Sequence, residues 1–171
     1  MKLLIKKNHR RPCWQIPLGL PHVFSVFKES KLSKTFMFTE SCLYDLKNEN
    51  QSDINKLFGF SIGLHYINSV RFGWRPNLKN STIEILKYEY NDKVRNFKSI
   101  LELDLNKFYR FEIKYDGFGF VSYSIFDIND VCLANTLSIP ILGFPIIFGY
   151  RLGLYFGGNE KAPQDITIYK R

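Results

Sequence analysis

The chain has 171 residues, 45% of them hydrophobic and 16% aromatic, including 16 Phe and 10 Tyr. That is enough for one substantial core, and such an aromatic excess suits pleated, half-buried surfaces better than helices. The formal charge of +8 is uneven: Lys2, Lys6, Lys7, Arg10 and Arg11 place +5 in the first eleven residues, leaving +3 for the rest. In that rest, bases alternate with acids, which argues against a nucleic-acid-binding face, and no run approaches the roughly 20 apolar residues of a membrane-spanning helix.

Residues 1–20 are expected to form a basic arm, solvated or packed on a single domain over residues 21–171. Only "LLI" precedes "KKNHRR", too short an apolar run for an export signal. Cys13, Cys42 and Cys132 are odd in number and lack CxxC or Cys/His spacing. They read as buried or incidental thiols in a reducing, cytoplasmic compartment, whereas a start codon further upstream would allow an extracellular one.

In chain order, "HVFSVF" (22–27) and "KTFMFT" (34–39) read as the first strands, and "CLYDLKNENQSDINK" as a loop. "KLFGFSIGLHY" then alternates, with Phe58, Phe60, Ile62, Leu64 and Tyr66 on one face and Gly59, Ser61, Gly63 and His65 on the other. "SVRFGWR" continues the pattern, with Val70, Phe72 and Trp74 opposite Ser69, Arg71, Gly73 and Arg75. A three-residue loop at Tyr66, Ile67 and Asn68 would set His65 opposite Ser69, Gly63 opposite Arg71, and Gly59 opposite Arg75.

Further strands are predicted in "STIEILKYEY", "NFKSILELDL" and "KFYRFEIKYDGFGFVSYSIFD", the last turning at Asp116-Gly117 as a two-residue hairpin. Prolines and glycines in "SIPILGFPIIFGYRLGLYFGG" forbid a continuous helix. Alternation along its last strand puts Arg151, Gly153 and Tyr155 on one face, and Gly157-Gly158 supplies a corner before the final strand, "QDITIYKR". Many short strands without helices predict an all-β fold, a two-sheet antiparallel sandwich.

The strand density, "FYRFEIKYDGFGFVSYSIFD" and the closing "YRLGLYFGGNEKAPQDITIYK" resemble the concanavalin A-like lectin/glucanase superfamily. "NSVRFGWRP" and "YFGGNEKAPQD" are also similar to segments of small bacterial proteins of this type. The resemblance implies a jelly-roll sandwich with a concave sheet that often carries a carbohydrate groove.

Against the superfamily's hydrolases, Glu102 and Asp104 share a face, but Asn106 stands where a further acid belongs. Against its polysaccharide lyases, Arg151-Leu152-Gly153-Leu154-Tyr155 resembles a basic-x-Gly-x-Tyr motif, and His65, Arg71 and Arg75 could complete it. Gly157 departs from the Gln expected after that Tyr. The broader expectation is a non-catalytic carbohydrate-binding module whose groove holds His65, Arg71, Arg75, Arg151, Tyr155 and Asn159, suited to acidic or sulfated sugars. The competing reading pairs the arginines with Glu84, Glu112 or Asp165 in a structural sandwich. No cofactor or metal constellation is read, and the residues leave oligomeric state open.

Overall fold

The computed structural model describes residues 1–13, 20–25, 30–116, 120–138 and 146–171. Its strands are β1 (Lys2–Ile5), β2 (Leu20–Ser25), β3 (Ser30–Phe38), β4 (Asn55–Ile62), β5 (Asn68–Asn77), β6 (Thr82–Asn91), β7 (Val94–Leu103), β8 (Phe108–Tyr115), β9 (Val121–Phe126), β10 (Cys132–Leu137), β11 (Ile146–Leu152) and β12 (Ile166–Lys170). The helical elements among the described residues are two single turns of 3-10 type, Glu40–Cys42, which leads into the expected loop, and Glu49–Ser52, which lies inside it. Among the described residues, no helix is long and apolar enough to cross a membrane.

Two six-stranded antiparallel sheets result, ordered β1-β12-β3-β8-β9-β10 and β2-β11-β4-β5-β6-β7. The period-two pattern is the reason: each sheet has one apolar face, and the two can hide those faces only against each other. Phe72 of β5 meets Phe111 of β8 and Tyr123 of β9 edge-on, with ring centroids 5.2 and 5.1 Å apart. Trp74, fully buried, packs on Phe38 of β3 at 5.4 Å. The expected all-β antiparallel sandwich is therefore the observed architecture.

The β4–β5 hairpin corrects the expected register. Ile62 pairs with Asn68, Ser61 with Ser69, Phe60 with Val70 and Gly59 with Arg71. The loop holds five residues, 63–67, closed by Ile67 N–H donating to the Leu64 carbonyl at 2.9 Å, and it opens on Gly63 at φ +62°, a left-handed conformation that suits glycine. The loop is two residues longer and its centre moves from Ile67 to His65, which keeps the parity, so the faces stay as expected while the partners of Gly59 and Ser61 move along by four. Leu64 and Tyr66, placed on the core face by alternation, are exposed in the loop instead.

A bulge interrupts the same pair: Lys56 sits opposite Gly73, but Phe58 sits opposite Phe72. Leu57 and Phe58 are both buried in the core, so the extra residue turns Lys56 onto the outer face. A second hairpin also differs from expectation. Tyr115 pairs with Val121, leaving five residues between β8 and β9 rather than two; of these, 117–119, including Gly117, lie outside the described residues.

The basic N-terminus is not a solvated arm. β1 pairs with β12 and buries Leu3 and Ile5. The chain then runs along the C-terminal loop, where Asn8 N–H donates to the Ala162 carbonyl at 2.8 Å and Phe156 N–H to that of Arg10 at 2.8 Å.

Candidate functional site

On the outer face of β4–β7 lies a groove of about 480 Å³. Cross-strand register explains its floor. Arg71 of β5 stands opposite Tyr88 of β6, which stands opposite Phe97 of β7, and Ser69, Tyr90 and Arg95 form the next row. The bulge adds Lys56 from β4. Tyr155, Gly158, Asn159 and Arg11 build the wall beyond β4, the His65-Tyr66 loop closes one end, and Ser52, Asp53, Ile54 and Arg75 close the other.

The glycines do not make this space. A Cβ on Gly73 would sit 2.5 Å from Ile54 Cγ2, and one on Gly59 would sit 2.0 Å from the Val70 carbonyl oxygen. Both serve close packing. Gly157 and Gly158 do form the expected corner. Gly157 N–H donates to Asn55 Oδ1 at 2.8 Å, while Gly158, at φ +70°, presses so closely on Asp53 that a Cβ has no room. That corner is also the groove's rim.

The groove's cations fall into two kinds. Arg75 is neutralised: its Nε donates to Glu84 and its Nη1 to the Ser52 carbonyl at 3.0 Å. For this residue the expected ion pair is present. Arg71 is only 8% exposed, and its Nε is buried without a hydrogen-bond acceptor. Burial pushes its guanidinium below the usual range. Glu112, one of the carboxylates expected to pair with the site arginines, instead binds Lys31 and Arg110 at 3.0 Å each, and Asp165 accepts from Lys7 N–H at 2.8 Å.

Lys56 is 9% exposed, donates to the Ile54 carbonyl at 2.6 Å, and holds its ammonium 4.5 Å from the centre of the Tyr88 ring. Burial first, and the Arg71 charge second, lower its pKa to about 8. Asp53 is the carboxylate among the groove-lining residues. The surroundings are thus strongly cationic, and the low local dielectric strengthens any anion bound there.

His65 is half-buried, lies edge-on to Tyr66 at 5.8 Å, and its carbonyl accepts from Ser69 Oγ at 2.7 Å. Burial, Arg71 and Arg11 hold its imidazole below the ordinary range. Arg10 fixes the wall by donating to Tyr155 Oη at 2.9 Å, to the Gly158 carbonyl at 2.8 Å and to the Asn159 carbonyl at 2.7 Å. Arg11 lies over the Tyr155 ring at 5.1 Å.

The structure therefore brings together five of the six residues singled out from sequence: His65, Arg71, Arg75, Tyr155 and Asn159. Arg151 is the exception. Leu152 and Gly153 both line the groove while Leu154 is buried in the core, so alternation slips by one residue and Arg151 falls on the opposite face from Tyr155. It stands exposed opposite Phe60, and its charge helps depress the pKa of Lys34 on β3. Lys56, Arg11, Tyr88 and Arg95 were not singled out. Tyr88 and Tyr90 were legible in the alternation of "KYEY", but nothing in the residue types announces the bulge that delivers Lys56.

Glu102 and Asp104 do not form a carboxylate pair on a strand. β7 ends at Leu103, Glu102 accepts from Asn77, Asn80 and Thr82, and Asp104 accepts from Lys107 at 2.6 Å. Neither lines the groove. Among the described residues, no cluster of three or more His, Cys, Asp or Glu could hold a metal ion.

No known protein family and no curated protein matches the sequence. Among solved structures, one similar fold is that of a functionally unknown protein from Saccharomyces cerevisiae. It superposes with a TM-score of 0.54 at 5% identity, over 89% of this chain and 69% of that one. At that identity the likeness concerns the fold alone.

Proposed function

We propose that this protein is a non-catalytic, lectin-like carbohydrate-binding module of the concanavalin A-like, jelly-roll type, whose groove takes an acidic glycan. The observation that carries the reading is Arg71: a buried guanidinium with an unpartnered Nε in the floor of a groove, beside a second buried cation. An uncompensated buried charge is costly in a fold that needs only packing, and an anionic ligand offsets that cost. Tyr66, Tyr88, Tyr90, Tyr155 and Phe97 offer the flat apolar surfaces on which sugar rings rest. The test is a glycan array of neutral, uronate-containing and sulfated polymers, read with the native protein and with Arg71→Met. Selective retention of acidic polymers, lost in the variant, is expected; indifference to charge, or binding unchanged by the substitution, overturns the reading.

A second reading, a polysaccharide lyase acting on uronate polymers, is favoured by the presence of His65 and Tyr155 in one groove with Arg71. Proton abstraction beside a uronate needs a base and a cation for the carboxylate. This reading requires ultraviolet absorbance from unsaturated products to grow when polyuronates are added. A flat trace removes it and leaves the binding module intact.

A further inference from the structure

The two buried cations of the floor are neighbours on adjacent strands, and their arrangement is specific about the anion. Lys56 lies opposite Gly73, two residues along β5 from Arg71. Arg71 lines the groove with a planar guanidinium fork whose buried Nε has no acceptor, and Lys56 brings a point charge that donates to the Ile54 carbonyl. A planar carboxylate can fill the fork with its two oxygens but brings one negative charge and no third oxygen for the ammonium. A monoester phosphate brings three terminal oxygens and a charge of about −1.5 to −2 near neutrality. Two oxygens can match the fork, and the third can reach the ammonium.

We infer that the groove is selective for a phosphate monoester carried on a sugar, with Arg71 and Lys56 holding the phosphate and the tyrosines holding the ring. The assignment rests on the acidic-glycan reading and narrows it. Sulfate esters share the three oxygens but carry a single charge, which leaves one of the two cations unmatched.

The groups that face Lys56 are Arg71 from β5, Tyr88 from β6, Arg95 from β7, Asp53 from the preceding segment, Arg10 and Arg11 from the N-terminal segment, and Tyr155. Tyr88 is pushed up to about 12 by burial and by Tyr90, so over pH 7–9.5 the change expected at this spot is loss of the Lys56 proton. Phosphate itself gains its second charge near pH 6. Binding of a phosphorylated sugar is therefore expected to rise from pH 5 to 7 and to fall above about pH 8, while a sulfated sugar lacks the rise.

The experiment uses three probes built on one glucopyranose ring, glucose 6-phosphate and glucose 6-sulfate, which differ only in the ester anion, and glucuronate, which carries its carboxylate at carbon 6 itself, titrated calorimetrically at matched ionic strength. The expected result is glucose 6-phosphate at least about tenfold tighter than either of the others, with Lys56→Met abolishing that preference. Circular dichroism and a thermal melt check that the variant is folded, and the bell-shaped pH profile of the native protein is a readout that needs no variant. Equal or weaker binding of the phosphate probe, or no binding of any probe, overturns the inference. If acidic polymers are still retained on the array, the glycan reading survives; if they are not, both fall.

Discussion

Two arginines, each on the outer face of its own sheet, meet opposite fates. Arg110 on β8 donates to Glu112 and Asp130 at 3.0 Å each, and its guanidinium lies 3.9 Å from the centre of the Phe126 ring. Arg71 on β5 is more deeply buried, and its Nε has no acceptor. Arg110 looks like a residue that serves the fold, because every charge it brings has been answered within the chain. Arg71 brings an Nε that the described residues leave without an acceptor, and the proposed ligand role of Arg71 rests on that difference.

That contrast can be broken most directly at the two arginines themselves. Arg71→Met should weaken acidic-glycan binding by about a hundredfold while raising stability by about 1–3 kcal/mol, since a buried charge without a partner is exchanged for packing. Urea denaturation beside a binding titration reads both. Arg110→Met should do the reverse, costing about 0.5–1 kcal/mol of stability with binding unchanged. If Arg71→Met instead unfolds the protein more readily than Arg110→Met, the functional reading of its isolation fails.

Arg10→Ala is a smaller change. It removes three hydrogen bonds that pin the Tyr155 wall, and a stability loss of about 1–2 kcal/mol is expected, with binding weakened severalfold through a looser wall. A pH series sharpens the comparison further. Lys56 has a pKa near 8 in the fold, below the ordinary lysine value of 10.5. The folded state therefore binds fewer protons than the unfolded one between those values, and this residue's contribution to stability rises as pH rises through about 8. The difference in unfolding free energy between the native protein and Lys56→Met, measured from pH 7 to 10, should show that rise. Ligand binding should decline over the same interval. Smallest of all is Arg151→Ala, which should leave affinity unchanged within error, because its side chain lies on the far side of β11 from the groove.

Much of this was readable in advance, for a physical reason. A half-buried sheet writes its sidedness into sequence with period two, so the apolar row Phe58, Phe60, Val70, Phe72 and Trp74 and the groove row of Ser69, Arg71 and Arg75 were both visible. What sequence could not show is how many residues stand between such rows. A five-residue loop preserves parity as well as a three-residue one does, so residue pattern alone could not choose between them. Slips of a single residue, at Leu57 and at Leu152-Gly153, leave no mark in residue type because each slipped position still finds a suitable surface. They account for two of the site's misreadings, the omission of Lys56 and the inclusion of Arg151. The packing of the N-terminal basic segment was equally hidden, since its hold depends on backbone groups of residues 156–162 that no side-chain pattern announces.

The bulge at Leu57 also sets a rule for altering this protein. Side chains around the groove can be exchanged one at a time with graded effects, but the number of residues between Lys56 and the hairpin loop cannot. Inserting one residue between Lys56 and Leu57, with the bulge kept, would swing Lys56 toward the aromatic core and turn Asn55 outward, away from Tyr44 Oη and from the Gly157 amide that it now bonds at 2.6 and 2.8 Å. A one-residue insertion there would damage scaffold and groove together, whereas most substitutions nearby touch only one of them. For a library built on this fold, the spacing is the quantity to hold fixed and the identities are free to vary.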